Sequence, residues 1–366
     1  MLIQSKLLFV KLNRNYALIF IILLGFIFCI GINVSSNEFN YSFDIKIDSN
    51  AFSIYKLYNE DFLSPNIIMN ENIHLNWEHK YDIVLSGSPD LYFGYFKRYE
   101  REVRAGKDVI RFIDDYNNNE LKDNYKVKFE TWSQLLDGIY IGTELYRNID
   151  YGVSIDFYGK LLRGLNLERS YYSGNIYLEN EDIEIKALRN SIYSFVGEDT
   201  KLYDVNFYSQ GYSFDINILW EIDDKQSLAL DIKDLYSRLY WYDVYTKVGE
   251  YDTDNIEIED DHLKYVPSFQ GKFYYDDYLS YLTPDIDLSY KGYDFEMGVN
   301  YQYSIKPYLN FEVINNDPFS LYMGFYGDQY TTNIKYSAVD IVLITDDFDF
   351  KSSKSIMGKM VIGFSF

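Results

Sequence analysis

The sequence predicts an all-β chain, a transmembrane antiparallel up-and-down β-barrel. At roughly 22 to 25 residues per strand with half its loops, it has room for about 14 strands, within a range of about 12 to 16. Three observations predict this fold. Apolar and polar residues alternate with a period of two over long stretches. Hairpins keep their apolar residues on one face through the turn. The last strand ends on an aromatic residue, with no polar tail behind it.

The clearest alternation runs from Asp285 to Ser304. Ile286, Leu288 and Tyr290 share one parity. Beyond Lys291-Gly292 the parity flips, so that Tyr293, Phe295, Met297, Val299, Tyr301 and Tyr303 are apolar. A period of two is the strand period. In a hairpin with a two-residue loop, Tyr290 lies opposite Tyr293, Leu288 opposite Phe295 and Ile286 opposite Met297. Gly292 is expected to supply the positive φ of that turn. The second arm, at about 3.3 Å per residue and a tilt near 40°, rises about 30 Å, enough to cross an apolar band. With the apolar parity facing lipid, Asp285, Asp287, Asp294 and Glu296 are expected to face the lumen, where uncompensated acids favour cations and water.

The chain has 366 residues, 19% of them aromatic, with 40 Tyr and only 6 Pro. Tyrosine at this density suits strands and membrane–water interfaces. Biased composition alone would explain the abundance but not the alternation. Residues 1–36 read as a secretory signal. Lys6, Lys11 and Arg14 are followed by an apolar run from Ala17 to Ile32, and cleavage is expected between Ser36 and Asn37. The run is short for a spanning helix. Residues 37–366 then form a single domain of 330 residues with no cysteine, since Cys29 lies in the leader. This excludes disulfides and thiol chemistry there. The leader holds three basic residues and no acid, so the mature balance is 31 basic against 56 acidic residues, a net charge of −25. That excludes nucleic acid as a partner, because binding its backbone needs a cationic face.

Strand-like alternation begins at once, from Phe39 to Ile47. Ser49 to Leu63 breaks it with helical spacing, and a short helix is expected there, serving either as a lumen plug or as an outside loop. Ile73–Trp77 and Tyr81–Leu85 read as two short strands, followed by Leu91–Tyr99. Asp114–Asn124 reads as a solvated loop. Asp115, Asn117 and Asn119 begin a calcium-loop spacing, but Glu120 and Lys126 stand where its Gly and closing Glu belong. Gly138–Tyr146 and Tyr151–Tyr158 read as a hairpin turning at Arg147-Asn148. Gly159–Gln210 has strand fragments without clear order. Gly211–Trp220 and Leu228–Ile232 make a second hairpin, across Asp223-Asp224-Lys225, in which Trp220 pairs with Leu228 and Ile216 with Ile232. Tyr236–Lys247 continues as a strand. Tyr251–His262 is an acidic loop, read as solvated because its carboxylates match no cation cage. Leu263–Tyr275, Tyr308–Ile314, Phe319–Tyr326 and Thr331–Ile344 read as further strands, with a last loop at Asp346, Asp347 and Asp349.

The final strand, Ser355 to Phe366, is similar to the assembly signal of outer-membrane barrels. Phe366 is the terminal aromatic, Phe364 the apolar residue two before it, and Lys359 the polar residue seven before the end. Val361 stands where that pattern has Gly. The resemblance implies recognition by the barrel assembly machinery. Two further blocks carry a resemblance, Tyr151–Leu167 and Gly211–Trp241. In the second, Gly211, Asp215, Lys233-Asp234-Leu235 and Trp241 resemble outer-membrane proteins grouped with conjugal-transfer TraF-like and long-chain fatty-acid-transporter (FadL-like) barrels. That resemblance implies about 14 strands, an outer-membrane location and passage of hydrophobic molecules past an N-terminal plug with an Asn-Pro-Ala motif. The chain lacks that motif.

No catalytic constellation stands out. His74 and His79 fall on opposite faces of a strand, and neither a nucleophile turn nor a phosphate loop is present. No metal or cofactor is expected. Trp77, Trp132, Trp220 and Trp241 read as interface or packing residues. The expected function is an outer-membrane pore or carrier for small solutes or hydrophobic molecules, with lipid around it. The alternatives are a structural or assembly-partner barrel with a filled lumen and, more remotely, an outer-membrane enzyme.

Overall fold

The computed structural model describes residues 36–49, 71–86, 90–117, 120–121, 124–179, 182–194, 208–253, 256–259, 262–265, 268–316, 318–349 and 352–365. The leader, the helical spacing at 50–63, and Phe366 lie outside the described residues. Of the cleavage junction, Ser36 and Asn37 open the first strand. The strands are β1 (Ser36–Ser49), β2 (Glu71–Ser86), β3 (Leu91–Ala105), β4 (Asn124–Asn148), β5 (Val153–Glu179), β6 (Asp182–Tyr193), β7 (Tyr208–Asp223), β8 (Gln226–Thr253) and β9 (Ile256–Glu259). They continue as β10 (His262–Tyr265), β11 (Ser268–Ser280), β12 (Asp285–Lys291), β13 (Phe295–Tyr301), β14 (Ile305–Asn316), β15 (Phe319–Tyr326), β16 (Gln329–Tyr336), β17 (Val339–Thr345) and β18 (Ser355–Ser365). One helix, α1 (Lys107–Asn117), joins β3 to β4.

The sheet closes on itself. β18 pairs with β1 from Ser355 opposite Asp48 to Ser365 opposite Glu38. The result is a closed antiparallel barrel of 14 strands. β6 and β7 share one position in the ring. β6 lies between the upper parts of β5 and β8, and β7 between their lower parts. β11 and β12 likewise pair with successive stretches of β8. β9 and β10 form a separate two-stranded hairpin. The chain enters and leaves at one end of the barrel, where the turns are short. At the other end β4, β5 and β8 extend to 25, 27 and 28 residues. At about 3.3 Å per residue and a 40° tilt, β8 rises about 70 Å, far more than an apolar band about 25 Å tall. The wall at β12 and β13 is low, with 7 residues in each strand.

Alternation sets the two faces. Leu288, Met297, Val299 and Tyr301 are 40–46% exposed on the outer surface. Asp285, Asp287, Ser289 and Asn300 line an interior cavity. The lower wall therefore has an apolar outside and a polar inside. No described helix is long and apolar enough to cross a membrane.

Several boundaries differ from the sequence reading, each for a local reason. In the β12–β13 hairpin Leu288 pairs with Val299 and Ile286 with Tyr301, so the turn lies beyond Lys291-Gly292, at Tyr293-Asp294. The slip is an even number of residues, so no side chain changes face. Gly292 does not take a positive φ; the Phe295 ring closes against its Cα, and Gly292 N–H donates to Phe295 O at 2.7 Å. The second hairpin keeps its expected register, Trp220 with Leu228 and Ile216 with Ile232, and bulges just before the turn. The β4–β5 turn falls at 149–152, not at Arg147-Asn148, because Gly152 supplies the left-handed residue (φ 62°). The two short strands at 73–85 are one strand. Thr331–Ile344 is a hairpin, broken at Ser337 (φ 50°), with no Gly, Pro or Asn to announce it. Gly159–Gln210 resolves into the end of β5, the β5–β6 hairpin and the start of β7. Tyr236–Lys247 is the upper half of β8, and the acidic loop contains β9.

The expected solvated loop at 114–124 begins as the last turn of α1. Phe112 and Tyr116 pack against the Tyr125–Ile176 cluster, and Asp115 is buried, accepting a bond from Tyr125 Oη at 2.8 Å. Val109, Phe112, Ile113 and Tyr116, at spacings of three and four, carry the helix signal. In the last loop Ser352 Oγ donates to Asp347 Oδ2 at 2.7 Å, and this bond holds the Asp347 carboxyl below its ordinary range.

The facing of β13 has a direct test. Val299→Arg puts a charge on the outer face near the middle of the low wall and should destabilise folding into lipid vesicles by about 2–4 kcal/mol. Ser289→Ala, on the inner face, should cost less than about 1.5 kcal/mol. Urea titrations of vesicle-inserted protein measure both.

Candidate functional site

The lumen is organised by a bulge in β8. Ile232 pairs with Ile216 of β7 and Tyr236 with Phe214, so three residues of β8 oppose one of β7. Asp234, at the centre, has φ 53°. A bulge leaves a backbone N–H without its ladder partner. Here Asp234 N–H donates instead to Asp215 Oδ1 at 2.8 Å. The Asp234 side chain points inward, is 1% exposed, and collects charge from across the ring. Arg98 of β3 donates Nη1–H to Asp234 Oδ2. Lys160 of β5 approaches Asp234 Oδ1 at 3.1 Å and Asp215 Oδ2 at 2.7 Å. Ser213 Oγ donates to Asp234 Oδ1 at 2.7 Å. Arg98 also holds Glu78 of β2 at 2.6 Å. Four or more strands are thereby tied to one carboxylate.

Above this cluster the tall wall is packed solid. Phe96, Leu136, Leu162, Leu167, Leu239, Trp241 and Leu282 form a buried core. Gly164 admits the Trp241 ring; a Cβ there would collide with it. Trp241 Nε1–H donates to Ser280 Oγ at 2.9 Å, Ser280 Oγ to Gln134 Oε1 at 3.1 Å, and Gln134 Nε2 to Glu100 Oε2 at 2.7 Å. The indole therefore packs without an unpaired donor.

Beside the cluster lies a cavity of about 510 Å³. Its walls carry six acids (Asp44, Glu78, Asp231, Asp234, Asp285 and Asp287) and four bases (Lys46, Arg98, Lys233 and Lys359). Asn300 Nδ2 donates to Asp285 Oδ1 at 2.8 Å, Tyr308 Oη to Asp287 Oδ1 at 2.9 Å, and Tyr326 Oη to Asn300 Oδ1 at 2.8 Å. Two contacts cross the lumen from β1 to the β13–β14 region. Lys46 Nζ donates to Gln302 Oε1 at 3.0 Å, and Lys306 Nζ to Asp48 Oδ2 at 2.9 Å.

The residues singled out in the sequence are distributed unevenly. Asp285 and Asp287 line the cavity. Glu296 lies on the same face of β13 as Asn300, whereas Asp294 is exposed in the turn outside the strand. Lys359 also lines the cavity and pairs with Asp44 in the β18–β1 ladder. Phe364 pairs with Phe39. Asp215 and Lys233-Asp234-Leu235 meet at the bulge, whereas Gly211 lies opposite Leu239 and Trp241 opposite Ser209, higher on the same wall. Of the three histidines only His79 has a described side chain; its Nδ1 is 2.9 Å from Tyr41 Oη. Among the described residues no group of His, Cys, Asp and Glu is arranged to hold a metal. The acidic loop lies largely outside them. Sequence reasoning missed Arg98, Lys160, Glu78 and Lys46. The run Tyr95-Phe96-Lys97-Arg98 has no clean alternation, so its inward face was not legible.

No protein-family profile matches the chain, and no curated protein sequence does. Among solved structures, the chain is similar to the toluene transporter TbuX of Ralstonia pickettii, with 7% identity, 90% of this chain and 89% of that chain covered, and a TM-score of 0.34. A mutant of the TodX monoaromatic hydrocarbon channel gives 10% identity, 90% of each chain and a TM-score of 0.31. The outer membrane protease OmpT of Escherichia coli gives 8% identity, 92% and 98% coverage and a TM-score of 0.26. At such scores the barrel assignment rests on the strand pairing itself, not on these likenesses.

Removing Arg98 tests the cluster. Arg98→Ala takes the guanidinium from Glu78 and leaves Asp234 with Lys160 alone as a cation, and should destabilise the barrel by about 3–5 kcal/mol. Arg98→Ala with Asp234→Ala should cost less than the two single changes together, since each single change leaves the other charge buried. Urea unfolding of the detergent-solubilised barrel, followed by tryptophan fluorescence, gives the comparison.

Proposed function

We propose that the chain is an outer-membrane pore for small hydrophilic solutes, with a preference for cations. The observation that carries this reading is the cavity, in which acids outnumber bases six to four. A lumen whose walls carry one sign in excess concentrates the opposite ion and repels its own. The outer face supports a lipid partner, and in outer-membrane barrels the short turns lie in the periplasm and the long loops outside. On that orientation the start of β1 and the end of β18 face the periplasm, and β18 is the element offered to the assembly machinery. Passage of hydrophobic molecules, which the family resemblance implies, fits poorly with so many charged groups on the walls.

A second reading is favoured by the Lys46–Gln302 and Lys306–Asp48 contacts and by the packed core around Trp241. It is a barrel with a filled lumen, acting as a structural or assembly partner. Planar-bilayer recording separates the two. A pore gives discrete conductance steps and, in asymmetric KCl, a reversal potential on the potassium side. Asp285→Asn with Asp287→Asn should lower the potassium-over-chloride permeability ratio by about two-fold or more. A folded protein that stays silent, or conducts chloride in preference, overturns the proposal; silence favours the filled barrel.

A further inference from the structure

The bulge turns two successive side chains, Lys233 and Asp234, toward the cavity. Only Asp234 is taken up by the ion-pair cluster. Lys233 is enclosed by the barrel, yet it makes no direct hydrogen bond or ion pair with a described residue. Its electrostatic neighbours are carboxylates from both sides of the cavity, Asp231 and Asp285 on β8 and β12, Asp44 and Glu78 on β1 and β2. In the ladder Lys233 lies opposite Asp285, and Asp231 opposite Asp287. Asn217, Asn300 and Gln302 add neutral oxygens to the same walls. An ammonium placed among carboxylates without bonding to any of them stands where a mobile cation would be held.

We infer that Lys233 is the specificity-determining residue of the lumen, a tethered counter-ion that occupies the position of a permeating cation. It neutralises part of the acidic wall and keeps the carboxylates from gathering a multivalent cation, which needs several oxygens at once. Its effect on permeation rests on the pore reading above; its effect on ion binding does not. A regular strand would put residue 233 inside and residue 234 outside. The bulge is what allows one inward residue to lock the wall and its neighbour to fill the site.

The test removes the tethered charge and measures cation binding directly. Lys233→Gln, folded in detergent, is titrated with terbium(III), whose luminescence is sensitised by nearby tyrosine. Tyr308, bonded to Asp287, is such a ring. The expected result is binding at least about ten-fold tighter than in the unsubstituted protein. Lys359→Gln removes another cavity cation and should tighten binding much less. Adding Asp231→Asn and Asp285→Asn to Lys233→Gln should abolish the gain. Should Lys233→Gln not fold, Lys233→Gln with Asp44→Asn keeps the net charge and retains Asp231, Asp285 and Asp287; the gain is expected there too. Terbium binding no tighter than in the unsubstituted protein, or equal to that of Lys359→Gln, overturns the inference. In bilayers the Lys233→Gln pore should become more potassium-selective and be blocked by calcium. A binding gain in a protein that never conducts removes the pore reading and leaves the inference standing. A conducting protein with unchanged binding and selectivity removes the inference and leaves the pore.

Discussion

Strand β8 bulges just where it exchanges β12 for β11 on one edge, and the Asp234 carboxylate anchors that bulge. Its lower part pairs with β7 and β12, its upper part with β6 and β11. On its β7 side the ladder continues both below and above residue 234, and the bulge itself leaves the Asp234 N–H without a ladder bond inside a closed barrel. Asp215 takes the stranded N–H of Asp234. Arg98, Lys160 and Ser213 then compensate the charge on Asp234. The low wall, the tall wall and the cavity meet at this one junction.

The junction also divides the interior into a dry part and a wet part. On the tall side Gly164 makes room for Trp241, and a chain of bonds through Ser280 and Gln134 satisfies the indole. On the low side the inward residues are short acids and amides, which cannot fill the space between strands, and a cavity remains. Its charges are mostly held in place by neighbours rather than paired off. Asp285 bonds to Asn300 and Asp287 to Tyr308, partners that orient a carboxylate without neutralising it. That leaves an acidic excess to act on whatever enters.

How much of this was legible varies along the chain. The Trp220–Leu228 register was readable because alternation runs unbroken through both arms. The β12–β13 hairpin keeps its faces but turns two residues later than the alternation suggests, because period two constrains parity and does not fix where the turn falls. The Ser337 turn carries no Gly, Pro or Asn, so nothing local separates its two arms from one continuous strand. The α1 helix had its spacing of three and four, overlooked beside a polar run. Lys233-Asp234-Leu235 was noticed as a motif, but no local pattern tells that its Asp sits in a bulge.

The sequence by itself determined the barrel class and the two faces of its regular strands, because side-chain direction in a strand depends only on parity. Tertiary structure alone decided where β8 changes partners, which acids meet Arg98 and Lys160, and which lysine lies among carboxylates without a bond to a described residue. Those contacts join strands far apart in the chain. They exist only once the ring has closed, and ring closure is set by the registers of all its strands together.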